Sequence, residues 1–269
     1  MTRQELYHAI ALPKGAQEAL EQLNIDKEQE RVLCKKYDSN RVEFYDRIGR
    51  MSKGPLMALD IYIELALRTY KDYKKRGISE EIYVNIFRDL TIWCKDYYKK
   101  FGEFGIQEYH WLSYAIDLRL FRLGRLQFEP IRLEQDIVFH TKVIEKGTKV
   151  LNVHIPEGEP LLKEKCNASF EMAKEFFGED YQYAVCTTWL LAPLLDEILD
   201  ETSNIHQFKQ RFLIYDVNYA FPQIEQRVFG TIQSDKAGYP ENNSLQKKVK
   251  LKVLEGVEFG MGCGICSLL

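Results

Sequence analysis

A chain of 269 residues with 45% apolar content is long enough to bury one large core or two small ones. Its formal charge of −3 and pI near 6.0 exclude a general electrostatic attraction to nucleic acid or to an anionic bilayer, so a small molecule or a protein is the expected partner, with no nucleic acid and no membrane. The opening Met-Thr-Arg-Gln-Glu-Leu lacks the apolar core of a signal peptide, and Asp60 and Glu64 interrupt the most apolar helical stretch, which points to a cytoplasmic protein.

Residues 1–122 read as helices. Apolar residues recur at Ile63, Leu67 and Tyr70, and again at Ile82, Ile86, Leu90, Trp93 and Tyr97, the three-and-four spacing of an amphipathic face. Gly77 is expected to end the first of these helices and Ser79 to cap the second, with Glu80 and Glu81 in its first turn. A further helix is expected over 107–122, with Trp111, Ala115 and Leu118 inward and Gly124 closing it. From Arg125 the period changes to two, giving strands over 125–133, 137–144 and 149–155, the last two joined by a hairpin-like turn at 145–148. A helix over 163–177, a strand over 181–191, a short helix over 193–199, a strand over 208–216 and a helix beginning near Pro222 follow. Residues 243–255 alternate like a strand, yet Ser244 suits an N-cap, and helix is the reading adopted.

The stretch 149–189 reads as strand, tight turn, helix, strand, an arrangement that builds a ligand crevice at a strand's carboxyl end beside a helix amino terminus. Its first strand puts His154 and Asn152 on one face, where a neutral imidazole can take a proton from an amine. The bland alternative is a histidine that ties neighbouring strands together. Glu129 and Gln127 share a face of the strand over 125–133, as a carboxylate for an acceptor amine or as an ordinary salt-bridged strand face. Cys186 is a nucleophile if an adjacent base lowers its pKa, and an inert core thiol otherwise. Arg119, Arg122 and Arg125 suit the carboxyl end of a helix better than a phosphate site. Cys263 and Cys266 form one CxxC without a second ligand pair, so no metal site is expected, and the six cysteines are expected to be reduced. Gly256, Gly260, Gly262 and Gly264 suit a closing turn and an edge strand.

Five segments carry a family resemblance: Leu118-Arg-Leu-Phe-Arg-Leu-Gly-Arg-Leu-Gln-Phe-Glu129, Val150-Leu-Asn-Val-His-Ile-Pro-Glu-Gly-Glu-Pro-Leu161, Cys186-Thr-Thr-Trp-Leu-Leu191, Ser203-Asn-Ile-His-Gln-Phe208 and Ser244-Leu-Gln. In this order they resemble the bacterial acyltransferase-domain proteins, which pair a helical N-terminal domain with a C-terminal domain similar to the GNAT superfamily of acyl-CoA-dependent N-acyltransferases. The resemblance covers nearly the whole chain. It implies an α+β fold, with a helical domain at 1–122 packed on a GNAT-like mixed α/β domain at 123–269. It also implies acetyl-CoA or another acyl-CoA as co-substrate and an amine of a small molecule or peptide as acceptor, with the helical half shaping the acceptor pocket.

In GNAT enzymes the pantetheine pairs with the fourth strand where it splays from the fifth, and the pyrophosphate rests on a glycine-bearing turn. By order these become 149–155, 181–191 and 156–162 here, so the resemblance assigns the cofactor to Val153, Ile155, Glu157 and Gly158 and implies direct transfer with His154 or Glu129 taking the amine proton, while Cys186 remains a catalytic candidate on its strand position alone. Two departures stand against it. The turn reads Pro156-Glu-Gly-Glu-Pro160, whose prolines remove amide donors and whose carboxylates repel a pyrophosphate, and Thr187-Thr188 replaces a His-Ser pair of relatives. These favour the alternative, a catalytically inactive GNAT-like binding or protein-interaction module.

Overall fold

The structure is a computed structural model that describes residues 1–23 and 25–268. The chain divides into two compact units, Met1–Arg122 and Leu123–Leu269.

The first unit contains α1 (Arg3–Ala9), α2 (Lys14–Leu23), α3 (Lys27–Ser39), α4 (Arg41–Gly49), α5 (Gly54–Lys75), α6 (Glu80–Phe101) and α7 (Tyr109–Ile116). The starts of α1, α4 and α6 follow side-chain chemistry. Thr2 and Glu5 form a capping box on α1, Asn40 Oδ1 accepts from Glu43 N at α4, and Ser79 Oγ accepts from Ile82 N at α6 (3.3 Å). Gly77, at φ +70°, reverses the chain between α5 and α6. Tyrosines fill the core, and two of their buried hydroxyls are satisfied by carbonyls: Tyr73 donates to Ala115 O (3.0 Å) and Tyr83 to Ala66 O (2.8 Å).

The helix expected over 107–122 stops at Ile116. Leu118 adopts φ +54°, and the chain leaves as β1 (Phe121–Leu123). Gly124, at φ +70°, therefore turns the chain toward β2 (Leu126–Arg132) instead of closing a helix.

The second unit continues with β3 (Ile137–Phe139), β4 (Lys142–Ile144), β5 (Lys149–His154), α8 (Lys163–Phe177), β6 (Tyr183–Thr188), α9 (Leu195–Ile198), α10 (Asn204–Lys209), β7 (Leu213–Asn218), α11 (Gln223–Phe229), α12 (Ser244–Leu254) and β8 (Met261–Ser267). The main sheet has the order β1-β2-β5-β6-β8-β7. It is mixed: β5 and β6 are parallel, connected through α8, while β2–β5, β6–β8 and β7–β8 are antiparallel.

The strand expected over 137–144 is a hairpin of its own, β3 with β4, turning at His140 (φ +54°). Residues 145–148 do not join it to β5 as a hairpin. Leu133 N donates to Thr148 O (3.0 Å) and Gly147 N to Leu133 O (2.8 Å), so the true partner of β5 is β2 and the small hairpin is an excursion between them. That excursion covers one face of the sheet, packing Leu133, Ile137 and Ile144 with Val150, Tyr183 and Ile265 of the strands. The opposite face meets α8, where Phe128 and Phe170 pack edge to face at 5.6 Å.

Three other expectations are corrected. The strand expected over 181–191 ends at Thr188 in a single 3-10 turn, Trp189–Leu191, and the strand expected over 208–216 divides into the end of α10 and β7. β8 lies between β6 and β7 and is not an edge. Its Gly262 is required there, since a Cβ would stand 2.1 Å from Leu191 O, and the 3-10 turn rests directly on that strand. The helix expected over 243–255 forms as Ser244–Leu254, with Asn243 as its cap in place of the expected Ser244. Among the described residues no helix is long and apolar enough to cross a membrane.

Candidate active site at the parting of two parallel strands

β5 and β6 run side by side for two pairs only, Leu151 with Ala184 and Asn152 with Val185. Beyond these, each strand pairs on its outer side alone: Val153 and His154 with Phe128 and Gln127 of β2, Cys186 to Thr188 with Gly264 to Gly262 of β8. The sheet thus opens along its middle at the carboxyl ends of its two parallel strands. Across the opening the Val153 carbonyl accepts from the Cys186 thiol (3.3 Å).

The β2–β5 register sets Glu129 opposite Asn152 and Gln127 opposite His154, so all four stand on one face of the sheet. The face carries the apolar hairpin at one end and this polar group at the other. His154 Nε2 lies 3.2 Å from Glu129 Oε2 and 3.1 Å from Asn152 Nδ2. Glu129 is 7% exposed and Gln127 is fully buried. His154 Nε2 thus faces both an acceptor, Glu129 Oε2, and a donor, the Asn152 amide, and its tautomer follows from which of the two it pairs with. Thr187, on β6, stands on the same face across the opening, by its pairing with Cys263.

Cys186 faces the other way, into the layer beneath α8. Burial pushes its thiol far above the ordinary cysteine range, and the proton is committed to Val153 O. A buried neutral thiol is a poor nucleophile. Cys263 and Cys266, three residues apart on β8, lie on opposite faces of the strand, so neither one metal ion nor a disulfide joins them.

The turn after β5 is built around Arg125, which is 5% exposed. Its guanidinium donates to Pro156 O (2.8 Å), Glu159 O (2.5 Å) and Pro160 O (3.2 Å). The two acidic side chains of the turn are paired with cations: Glu157 Oε1 with Arg227 Nη1 at 2.5 Å and Glu159 Oε2 with Lys165 Nζ at 3.0 Å. Gly158 takes φ +101°, and the amides of Glu157, Gly158, Leu161 and Leu162 have no acceptor among the described residues. The amino terminus of α8 follows directly and lacks a side-chain cap, leaving its first-turn amides at 163–165 likewise unspent. The carboxylates at 157 and 159 are thus offset, and the amide donors lost at Pro156 and Pro160 are outnumbered by those that remain.

At the end of β6, Gln223 Oε1 accepts from Trp189 N (2.8 Å) and Thr188 Oγ1 (3.4 Å), and the buried Lys209 donates to Ala192 O (2.9 Å) and Pro193 O (3.2 Å). Sequence reasoning missed Arg125 as an organiser of the turn, together with Lys209, Gln223 and Arg227. Only Arg125 left a signal, a charge between Gly124 and an apolar strand start.

Comparison with known proteins agrees with this architecture. Residues 1–118 match the N-acyltransferase N-terminal domain and residues 120–266 the GNAT-like C-terminal domain. Among solved structures, an acyltransferase in complex with decanoyl-CoA is 22% identical with a TM-score of 0.78, covering 99% of this chain and 87% of that one. An acyltransferase in complex with decanoyl-CoA and teicoplanin is 21% identical with a TM-score of 0.77, and a mutant acyltransferase with octanoyl-CoA is 21% identical with a TM-score of 0.78, each over the same shares of the two chains. At that identity the likeness shows the fold. No curated protein sequence matches the chain. The two domain matches, contiguous and in order over nearly the full length, establish that the chain belongs to the N-acyltransferase family with a helical N-terminal and a GNAT-like C-terminal domain.

Proposed function

We propose that this protein transfers an acyl group from acyl-CoA to an amine on a small-molecule or peptide acceptor, by direct attack without an acyl-enzyme. The observation that carries the proposal is the parting of β5 from β6 after two ladder pairs, with the Glu129–His154 pair on the face beside the opening. The thioester arm lies along the main chain at Ile155, past the Val153 carbonyl that Cys186 holds, and the pyrophosphate takes the amides of Glu157, Gly158 and the start of α8. Related acyltransferases bind decanoyl-CoA, octanoyl-CoA and teicoplanin, which supports a medium-chain acyl donor and a large amine acceptor for this chain as well.

In the reaction the acceptor amine attacks the thioester carbon, a C–N bond forms and the C–S bond breaks. His154 takes the proton the amine loses, Glu129 stabilises the resulting imidazolium, and the imidazolium passes that proton to the departing thiolate, which leaves as coenzyme A. Cys186 has no part in it.

The test is turnover of decanoyl-CoA with a panel of amines, followed by release of free coenzyme A thiol. His154→Gln is expected to lower kcat by about 10²–10³-fold while the KM for the donor and the melting temperature hold. Unchanged turnover with a lower melting temperature contradicts the base role and leaves His154 as a tie between strands.

A further inference from the structure

Helix α11 is attached to both sides of the opening. On the β5 side Arg227 Nη1 lies 2.5 Å from Glu157 Oε1, in the turn that follows the strand. On the β6 side Gln223 holds Trp189 N and the Thr188 hydroxyl. Residues 223 and 227 stand one turn apart and so share a face of the helix. The two attachments differ in kind. Gln223 grips a main-chain amide at 2.8 Å, whereas Arg227 and Glu157 are 41% and 49% exposed, an ion pair that water and other anions can compete for. The turn therefore receives, besides its unspent amides, a guanidinium from a separate element, and that guanidinium is kept on the turn by a carboxylate.

We propose that Arg227 is a phosphate ligand for the acyl-CoA donor, held by Glu157 until the donor enters and then passed to the pyrophosphate. This rests on reading the β5–β6 opening as the acyl-CoA site. A guanidinium pairs with phosphate through two parallel N–H···O bonds, and a pyrophosphate carries more charge than one carboxylate, so the exchange runs toward the ligand. Glu157 is then a competitor that the donor displaces. Gln223 keeps α11 anchored on β6 during the exchange, so only the arginine side chain has to move.

Binding of decanoyl-CoA and of S-decanoyl-pantetheine, which has the same thioester arm without the pyrophosphate, separates this role from a structural one when titrated into the full chain by calorimetry. Arg227→Gln is expected to weaken decanoyl-CoA about tenfold, and Glu157→Gln to tighten it by about threefold, with S-decanoyl-pantetheine bound equally by all three proteins. The double variant Glu157→Gln/Arg227→Gln is decisive: it is expected to bind decanoyl-CoA more weakly than Glu157→Gln alone, whereas an arginine that only offsets the carboxylate or braces the fold adds nothing once the carboxylate is gone. Weaker binding of decanoyl-CoA in both variants, an unaffected Arg227→Gln, or an equal effect on S-decanoyl-pantetheine overturns the assignment of Arg227 while leaving the acyl-CoA site standing. A native chain that binds neither compound overturns the reading of the opening and this assignment with it.

Discussion

Glu129 and His154 come from strands joined by a long excursion, and their side chains meet at 3.2 Å on one face of the sheet. A carboxylate at that distance stabilises the imidazolium that forms as the amine loses its proton, and a neutral amide in its place keeps the contact but not the charge. Glu129→Gln is therefore expected to lower kcat by about 10–100-fold with little change in melting temperature, and steady-state turnover beside thermal denaturation checks both halves. The cysteines give a second residue-scale prediction. All six are buried, and burial raises Cys34 and Cys94 to about 11 and Cys186 further. Buried thiols are out of a reagent's reach, so the native protein at pH 8 should resist a disulfide reagent and titrate six thiols only after denaturation. Rapid labelling of Cys186 in the native protein would contradict its placement. The alternation of β5 and of β2 makes each polar face legible in the sequence, Asn152 with His154 and Gln127 with Glu129. Their meeting was not legible, because it depends on the register that Leu133, Gly147 and Thr148 set across the β3–β4 excursion.

At the scale of elements, Arg125 and Gly262 fix the two sides of the opening. Replacing Arg125 by Met leaves three carbonyls at Pro156, Glu159 and Pro160 without their donor, which should cost about 2–4 kcal/mol and weaken donor binding together, measured by denaturant midpoint and by titration. Gly262→Ala forces a methyl group against the Leu191 carbonyl and should cost about 3 kcal/mol by displacing the 3-10 turn at the end of β6. A variant as stable as the parent would contradict the close approach. Long periodic elements such as α5, α6 and α8 are plain in the sequence. The end of α7, the hairpin inside 137–144 and the short α10 are not, since a positive φ at Leu118 or His140 is a tertiary choice that no local propensity announces. The acidic turn shows the same limit from the other direction. Its composition reads as hostile to phosphate, yet Arg227 and Lys165, brought there by the fold, offset both carboxylates.

For the whole molecule, the order of elements and the family they belong to were readable from separated segments of sequence, while the opening between β5 and β6 is a property of the assembled sheet. Parallel strands that stop pairing after Asn152 and Val185 leave main-chain groups for a ligand arm, and the unspent amides of the following turn lie at the end of the same strand. A ligand that binds only the native state raises its stability by RT ln(1 + [L]/Kd), about 2.7 kcal/mol at a hundredfold excess over Kd, or several degrees in melting temperature for a chain of this size. Thermal denaturation of the purified protein with and without millimolar decanoyl-CoA is the most direct test of the acyl-CoA site. The account predicts an upward shift of several degrees with decanoyl-CoA and a smaller one with free coenzyme A, and a melting curve that neither compound moves would contradict it.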